Sequence, residues 1–398
     1  MLEVRKLSKL EQLIKELCPD GVEYKPLVEL GEFYGGLNGK SKDDFTNGNA
    51  KFITYMNVFS NLSLKIDVED TVKITNNEKQ NTIQYGDVLF TGSSETPDEC
   101  GMSSVLTTVT EEKLYLNSFC FGFRFFDQNI MLPEFSKYVF RSTEIRNQIR
   151  KTASGVTRFN VSKKKMEKVV IPLPPLPVQE EIVRILDNFT ELTAELTAEL
   201  TARKQQYEYY RDSLLTFDTG VEWKPLNEIT INVSSGKNKD KNDSGKYPVF
   251  GSTGIIGYTD HFQYNFEQIL VARVGANAGY VHKATGNYDV SDNTIIINIK
   301  RQYVLQYLYY LLQKINLNTL AKGGGQPLIT AGQLKKIIIP VPSRPEQERI
   351  VDILDRFDKL CNDISEGLPA EIKAREQQYE YYRDKLLTFK EKEVAENE

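Results

Sequence analysis

Residues 202–217 read ARKQQYEYYRDSLLTF and residues 374–389 read AREQQYEYYRDKLLTF, identical at fourteen of sixteen positions. Upstream of each copy lies a second matched stretch. Residues 172–189 (PLPPLPVQEEIVRILDNF) and 340–357 (PVPSRPEQERIVDILDRF) agree at eleven of eighteen positions. A third echo pairs Gly21-Val-Glu-Tyr-Lys-Pro-Leu27 with Gly220-Val-Glu-Trp-Lys-Pro-Leu226. The chain is therefore written twice: a short motif, a long variable body, a long patterned segment, then the same three again. Solenoid repeats recur every 20–50 residues or so, and this period is far longer.

The patterned segments read as helices. In the first, Ile182, Leu186, Phe189, Thr193, Leu196, Leu200, Arg203, Tyr207, Tyr210, Leu214 and Phe217 alternate in steps of four and three without a break. Nine of these eleven are apolar or aromatic, the heptad signature of a helix with a long apolar seam. Pro177 fits a first helical turn, and Glu180 and Glu181 favour a helix N-terminus. At the α-helical rise this segment reaches roughly 60 Å, too long to bury itself alone. The second copy repeats the seam as Ile350, Leu354, Phe357, Cys361, Ile364, Leu368, Ile372, Arg375, Tyr379, Tyr382, Leu386 and Phe389. Two successive steps of four around Leu368 make a stutter, and Gly367-Leu-Pro369 there predicts a kink. The first copy has instead the tandem tetrapeptides TAEL-TAEL at 193–200, built of good helix formers.

The two bodies differ in length and share little sequence. Both carry short β-rich runs bounded by Gly, Asn and Asp: Lys51-Phe-Ile-Thr-Tyr, Asp87-Val-Leu-Phe and Phe119-Cys-Phe-Gly-Phe-Arg-Phe in one, Gln268-Ile-Leu-Val-Ala-Arg and Thr294-Ile-Ile-Ile-Asn-Ile in the other. Helical stretches follow at 133–150 and 302–321. The expected fold class is α+β: two mainly-β domains separated by two long antiparallel coiled-coil helices, with pseudo-two-fold symmetry. The expected division is an N-terminal helix at 1–18, a first domain at 19–175, a first helix at 176–217, a second domain at 218–343, a second helix at 344–392 and an acidic tail at 393–398. The second helix is expected to return along the first, so that its end meets the helical start formed by Leu7, Leu10, Leu13, Ile14 and Leu17.

A rod with a similar domain at each end fixes a separation, which suits a long regular polymer such as duplex DNA with two half-sites. The overall net charge of −5 over 398 residues argues against a chain that embraces nucleic acid unaided. Local charge reads differently. Eight basic residues lie between 146 and 168 (Arg146, Arg150, Lys151, Arg158, Lys163, Lys164, Lys165, Lys168) against one acid, Glu167. Among them, Ser154, Thr157 and Asn160 suit phosphate and base-edge contacts. Aligned at the repeat offset, the second body has Lys322-Gly-Gly324-Gly-Gln326-Pro-Leu-Ile-Thr330, a glycine-rich loop that lets backbone approach a phosphate. Ser234–Lys241 adds Lys237, Lys239 and Lys241 in another basic, polar loop, and Arg273 ends the later strand-like run from Gln268. Solvated surface is the plainer account of any one loop; recurrence at matched positions favours nucleic acid.

The segments PLPPLPVQEEIVRILDNF, TAEL-TAEL, QQYEYYRDSLLTF and GVEWKPL, with PEQERIVDILDRF and QQYEYYRDKLLTF, resemble those of the specificity subunits of type I restriction-modification enzymes, over essentially the whole chain. The resemblance implies that the two bodies are target recognition domains, each reading one half of a bipartite DNA site. It implies that the helices set the spacer and dock methyltransferase subunits, which recruit restriction subunits. Leu186, Leu196, Leu200, Tyr207, Tyr210, Leu354, Tyr379 and Tyr382 are the expected spacer and docking positions. S-adenosylmethionine, ATP and Mg are then expected in the partner subunits, with no cofactor and no catalytic or metal site in this chain. The number of TAEL copies is implied to tune the spacer; four residues add roughly 6 Å of helix.

Several patterns that imitate catalytic motifs are weak. No Asn/Asp-Pro-Pro-Tyr/Phe methyltransferase box occurs, and Pro174-Pro175 is flanked by leucines. Gly39-Lys40-Ser41 resembles the end of a phosphate loop, but Tyr34 stands where the earlier glycine is required. Pro19-Asp20 with Glu23-Tyr-Lys25 imitates a nuclease set at far too short a spacing. Gly251, Gly254 and Gly257 read as turns, and His261 and His282 as polar surface or base-contacting groups. Four scattered cysteines (Cys18, Cys100, Cys120, Cys361) suggest neither a disulfide framework nor a zinc site. No membrane span or secretory signal is recognisable, so a cytoplasmic location is expected. A coiled-coil protein-interaction scaffold without direct DNA readout is the alternative reading.

Overall fold

The computed structural model describes residues 8–323, 326–363 and 365–393. Leu7, Gly324, Ile364 and residues 394–398 of the acidic tail lie outside the described residues. The chain divides into two compact units, Met1–Glu195 with Lys373–Glu398, and Leu196–Ile372. Both mix helices and strands.

In the first unit the strand Glu23–Pro26 pairs antiparallel with Val170–Leu173, so the body begins and ends on one ribbon. Between them, an antiparallel sheet runs in the order Gly31–Gly35, Cys120–Phe125, Val88–Thr91, Ser103–Val105. The alternating phenylalanines of Cys120–Phe125 explain its central place: Phe121 and Phe123 face the core with Phe33 and Phe90, and the Phe33 and Phe123 rings lie 4.9 Å apart. A second four-stranded sheet (Thr71–Val72, Ala50–Ile53, Leu114–Leu116, Thr82–Ile83) includes one parallel pair, Ala50–Ile53 with Leu114–Leu116. The helical stretch expected at 133–150 is two helices, Pro133–Val139 and Thr143–Thr152.

The chain's two described ends meet in this unit. Ser8 and Glu11 form a capping box that starts the helix Lys9–Leu17. Lys9 then reaches the buried carboxylate of Glu181 at 2.8 Å. Val22 exchanges backbone hydrogen bonds with Lys390 and Lys392, at 2.8 and 2.9 Å. Gly21 sits there at φ +108°, and a Cβ on it would lie 2.7 Å from the Lys390 carbonyl oxygen. The expected meeting of the helical start with the end of the last helix is thus present: Leu10 is buried in the same core as Leu387, against which Leu13, Ile14 and Phe389 pack.

The second unit repeats this plan with fewer residues. Glu222–Pro225 pairs with Ile338–Val341. An antiparallel sheet runs Thr230–Ser235, Thr294–Ile299, Gln268–Ala272, Val281–Ala284, and a smaller sheet runs Gly254–Thr259, Tyr247–Gly251, Asp289–Val290 with its last pair parallel. Ile269, Val271, Ile295 and Ile297 pack on Tyr307, Tyr310 and Leu311 of the helix Leu305–Lys314. The glycines of 251–257 lie in and beside the turn of a hairpin, as expected.

The first long helix is Leu176–Leu214, with Pro177 in its first turn. Along residues 191–205, those at 193, 196, 200 and 203 are half-buried and their neighbours exposed, which is the heptad seam read from sequence. In the first unit, Val178, Ile182 and Leu186 enter the core and the Phe189 ring stacks on Tyr382 at 5.3 Å. In the second unit, Ile350 and Leu354 are buried and Phe357 stacks on Tyr210, also at 5.3 Å. The same aromatic pair therefore closes each unit. So does a buried amide: Gln179 accepts from the Leu132 N–H at 2.9 Å and donates to the Pro174 carbonyl at 2.7 Å, while Gln347 accepts from Val304 N–H at 3.0 Å and donates to the Pro342 carbonyl at 2.8 Å.

The second patterned segment corrects the expectation of one kinked helix over 344–392. It is two helices, Arg344–Asn362 and Leu368–Leu386. The Asp363 carboxylate accepts from the Ser365 N–H at 2.8 Å, the Ser365 hydroxyl at 2.6 Å and the Glu366 N–H at 3.1 Å. A side chain that captures backbone donors in this way competes with the helical ladder and ends it. Pro369 then lies in the first turn of the next helix, where a missing N–H is tolerated.

Candidate nucleic-acid interface

The first unit gathers its predicted polar and basic residues on one hairpin. Ala153–Ser154 pairs with Phe159–Val161, which pairs in turn with Ser93–Ser94. Gly155, at φ +147°, makes the tip possible: a Cβ there would lie 1.9 Å from the Arg158 carbonyl oxygen. Val156 is 92% exposed at that tip. Ser154, Thr157, Arg158 and Asn160 are all exposed along the hairpin. Lys151, in the last turn of Thr143–Thr152, and Lys163 and Lys164, on the short helix Lys163–Met166, flank it, because Ser162 N–H donates to the Thr152 carbonyl at 3.3 Å.

Not every basic residue of that stretch faces outward. Arg146 is spent inside: its guanidinium donates to the Gly101, Asp98 and Cys100 carbonyls at 2.5, 2.8 and 2.7 Å, and burial pushes its pKa down to about 10. Arg150 ion-pairs with Asp98. Both arginines brace the loop at 95–101.

The hairpin forms one wall of an open cleft whose other residues the sequence reading missed. Tyr55, Met56, Phe59, Ser93, Ser94, Glu95, Glu99 and Phe119 line it with Thr157 and Arg158. Met56 and Phe119 are 59% and 57% exposed, unusual for side chains of that size. The Arg158 guanidinium lies over the Phe119 ring at 5.5 Å, and its Nε donates to the Ser93 hydroxyl at 3.1 Å.

In the second unit the corresponding strands are reduced to bridges, Lys322 with Leu328 and Leu328 with Val274. Lys322 and Gln326 are exposed on either side of this loop. Arg273 precedes Val274; its Nη1 donates to the Asp292 carbonyl at 3.1 Å, and its backbone N–H to that of Asn293 at 2.9 Å. The basic loop reaches the same turn, since the Lys237 and Asn238 N–H groups both donate to the Val290 carbonyl at 3.0 Å. Lys237 and Arg273 thus meet around 290–293, Lys322 is tied to Leu328 next to Val274, and Lys241 lies beside Gly257.

Other expectations change. His282 is neither polar surface nor base-contacting. It stacks between Phe250 and Tyr280, at 5.8 Å from each ring, its buried ring nitrogens have no hydrogen-bond partner among the described residues, and burial lowers its pKa to about 4. His261 is held by Thr259 at 3.0 Å and faces the buried Asp289 at 3.6 Å. Lys40 is paired with Glu78 at 2.6 Å, and Glu23 with Lys25 at 3.0 Å on a sheet strand, a structural use of both motif fragments. Among the described residues, no cluster of three or more His, Cys, Asp and Glu side chains could hold a metal ion. No described helix is long and apolar enough to cross a membrane.

Two units of one plan, each bearing a polar hairpin or loop at a matched place and joined through heptad-patterned helices, define a duplicated recognition chain. The type I restriction modification DNA specificity domain matches residues 19–203 and again residues 221–374, and the chain belongs to that family. A type I restriction enzyme specificity subunit of Escherichia coli is 40% identical over 274 residues, 60% of this chain and 67% of the relative. A second one from the same species is 37% identical over 238 residues, 54% of this chain and 59% of the relative, so the matches span about three fifths to two thirds of these relatives' lengths. Among solved structures, a chain from a study of complex assembly and conformational transition of the type I R-M system superposes with a TM-score of 0.63 at 18% identity, covering 93% of this chain and 98% of the other. At that identity the likeness establishes the fold.

Proposed function

We propose that this chain is the non-catalytic, sequence-reading subunit of a type I restriction-modification complex, each unit reading one half of a bipartite DNA site. The carrying observation is the hairpin at 153–161 and its reduced counterpart at 322–328, set by the same strand order in both units and rich in exposed basic and amide side chains. Such a ribbon fits the major groove, and the predicted site residues named above supply phosphate and base-edge contacts. The long helices act as an antiparallel coiled-coil spacer with pseudo-two-fold symmetry and dock the methyltransferase subunits. Tyr209 and Tyr381, 70% and 61% exposed beside the seam, suit that docking face. Restriction subunits join through the methyltransferases, and S-adenosylmethionine, ATP and Mg are held by those partners. The net charge of −5 leaves much of the phosphate grip to them, so the chain alone binds DNA weakly and in a salt-sensitive way.

Exchange of residues 19–175 for the first body of another family member tests this. Methylation mapping of a host carrying the hybrid complex should report one changed half-site and one unchanged half-site. A motif unaffected by the exchange would contradict direct readout and leave a protein-interaction scaffold.

A further inference from the structure

The cleft beside the hairpin of the first unit brings an arginine fork and an unpaired carboxylate into one concavity. The Arg158 guanidinium is fixed twice, by Nε donation to Ser93 Oγ at 3.1 Å and by the Phe119 ring beneath it at 5.5 Å. Its terminal nitrogens have no partner among the described residues, so both remain for a ligand. Glu95 shares the cleft and is exposed, and among the described residues it takes no hydrogen bond or ion pair. Its neighbour Glu99 is already used, accepting from the Ser94 hydroxyl at 3.1 Å and the Thr96 hydroxyl at 2.9 Å.

The loop carrying Glu95 is not loose. Arg146 gathers the carbonyls of Asp98, Cys100 and Gly101, and Arg150 pairs with Asp98. The Ser93–Ser94 strand leading into it is hydrogen-bonded to the hairpin strand Phe159–Val161. Arginine and carboxylate therefore lie next to each other, one residue beyond the ends of two paired strands.

A carboxylate on a surface that meets DNA repels phosphate and all the acceptor atoms of the groove: guanine O6 and N7, adenine N7, thymine O4. It is favourable only opposite an exocyclic amine, on cytosine N4 or adenine N6. An arginine with two free terminal nitrogens matches the guanine O6/N7 edge. We propose that Arg158 and Glu95 are specificity-determining residues, Arg158 reading a guanine and Glu95 an amine-bearing base, cytosine in the first instance, within the half-site of the first unit. The inference rests on the reading of that unit as a DNA reader and adds the base chemistry to it.

The test uses the assembled complex in a host whose methylome is read by single-molecule sequencing, with R158K, R158A, E95Q and E95A compared. R158K keeps the charge but loses the fork, so one guanine position of one half-site should become degenerate, its discrimination falling roughly tenfold or more. E95Q should relax a different position of the same half-site, admitting a base that offers an acceptor. The other half-site and the spacing should not change, and thermal melting of the complex should match wild type. A uniform loss of methylation with an intact motif, or an unaltered motif in all four variants, would overturn the proposal. Failure of the underlying reading is separate: it is marked by an unchanged motif after exchange of residues 19–175.

Discussion

Gly155 turns the hairpin at 153–161 at φ +147°, in a space where any Cβ meets the Arg158 carbonyl oxygen. Gly155→Val should therefore cost about 1–3 kcal/mol locally and displace Val156 to Arg158. The expected outcome is loss of methylation at sites needing the first half-site, with the complex still assembled on a sizing column. Gln347 is a second sensitive residue, because its buried amide serves the Val304 N–H and the Pro342 carbonyl. Gln347→Leu strands both groups and should lower stability by about 2–4 kcal/mol, measured by denaturant unfolding. The hairpin's polar and basic residues were legible as a run of types. Glu95, Met56 and Phe119 were not, because segments far apart in sequence meet there: the helix Tyr55–Ser60 reaches Ser93 through the Tyr55 hydroxyl, and Gly92 N–H donates to the Phe119 carbonyl. His282 was misread for a related reason: its burial comes from Phe250 and Tyr280, and no local pattern announces that stack.

At the scale of elements, the first long helix is tied to the N-terminal helix through Glu181. Hydrogen bonding from Arg184 outweighs desolvation and, with Lys9, holds the Glu181 carboxyl at about 2 against an ordinary 4.5. A depressed folded pKa means that the unfolded chain binds the proton first on acidification. The stability gained from Glu181 is thus complete above the unfolded value and is lost as pH falls from 4.5 toward 2. Glu181→Gln should lower the melting temperature near neutral pH, by an amount equivalent to about 1–3 kcal/mol. The difference from wild type should shrink on acidification through that window; an undiminished difference would show that the pair is not its source. The four-three spacing was legible because a long helix repeats one face every few residues, and positions 193, 196, 200 and 203 are half-buried. The break at 363–367 was read as a kink because the stutter gives only the four-residue mismatch. The turn built on the Asp363 carboxylate decides that the helix stops.

At the scale of the molecule, the duplication in the sequence reappears as two units with the same opening ribbon, the same antiparallel sheet and the same aromatic pair against the helix. The helix Leu176–Leu214 belongs to both, and the tetrapeptides of 193–200 span the point at which one unit gives way to the other, between Glu195 and Leu196. Removing one tetrapeptide takes out roughly 6 Å of helix, about one turn, while leaving the residues of both bodies intact. The most direct measurement is methylation mapping of a host whose complex carries a deletion of Thr197 to Leu200. Two unchanged half-sequences at an altered spacing are the predicted result. Altered half-sequences at the original spacing would contradict the account.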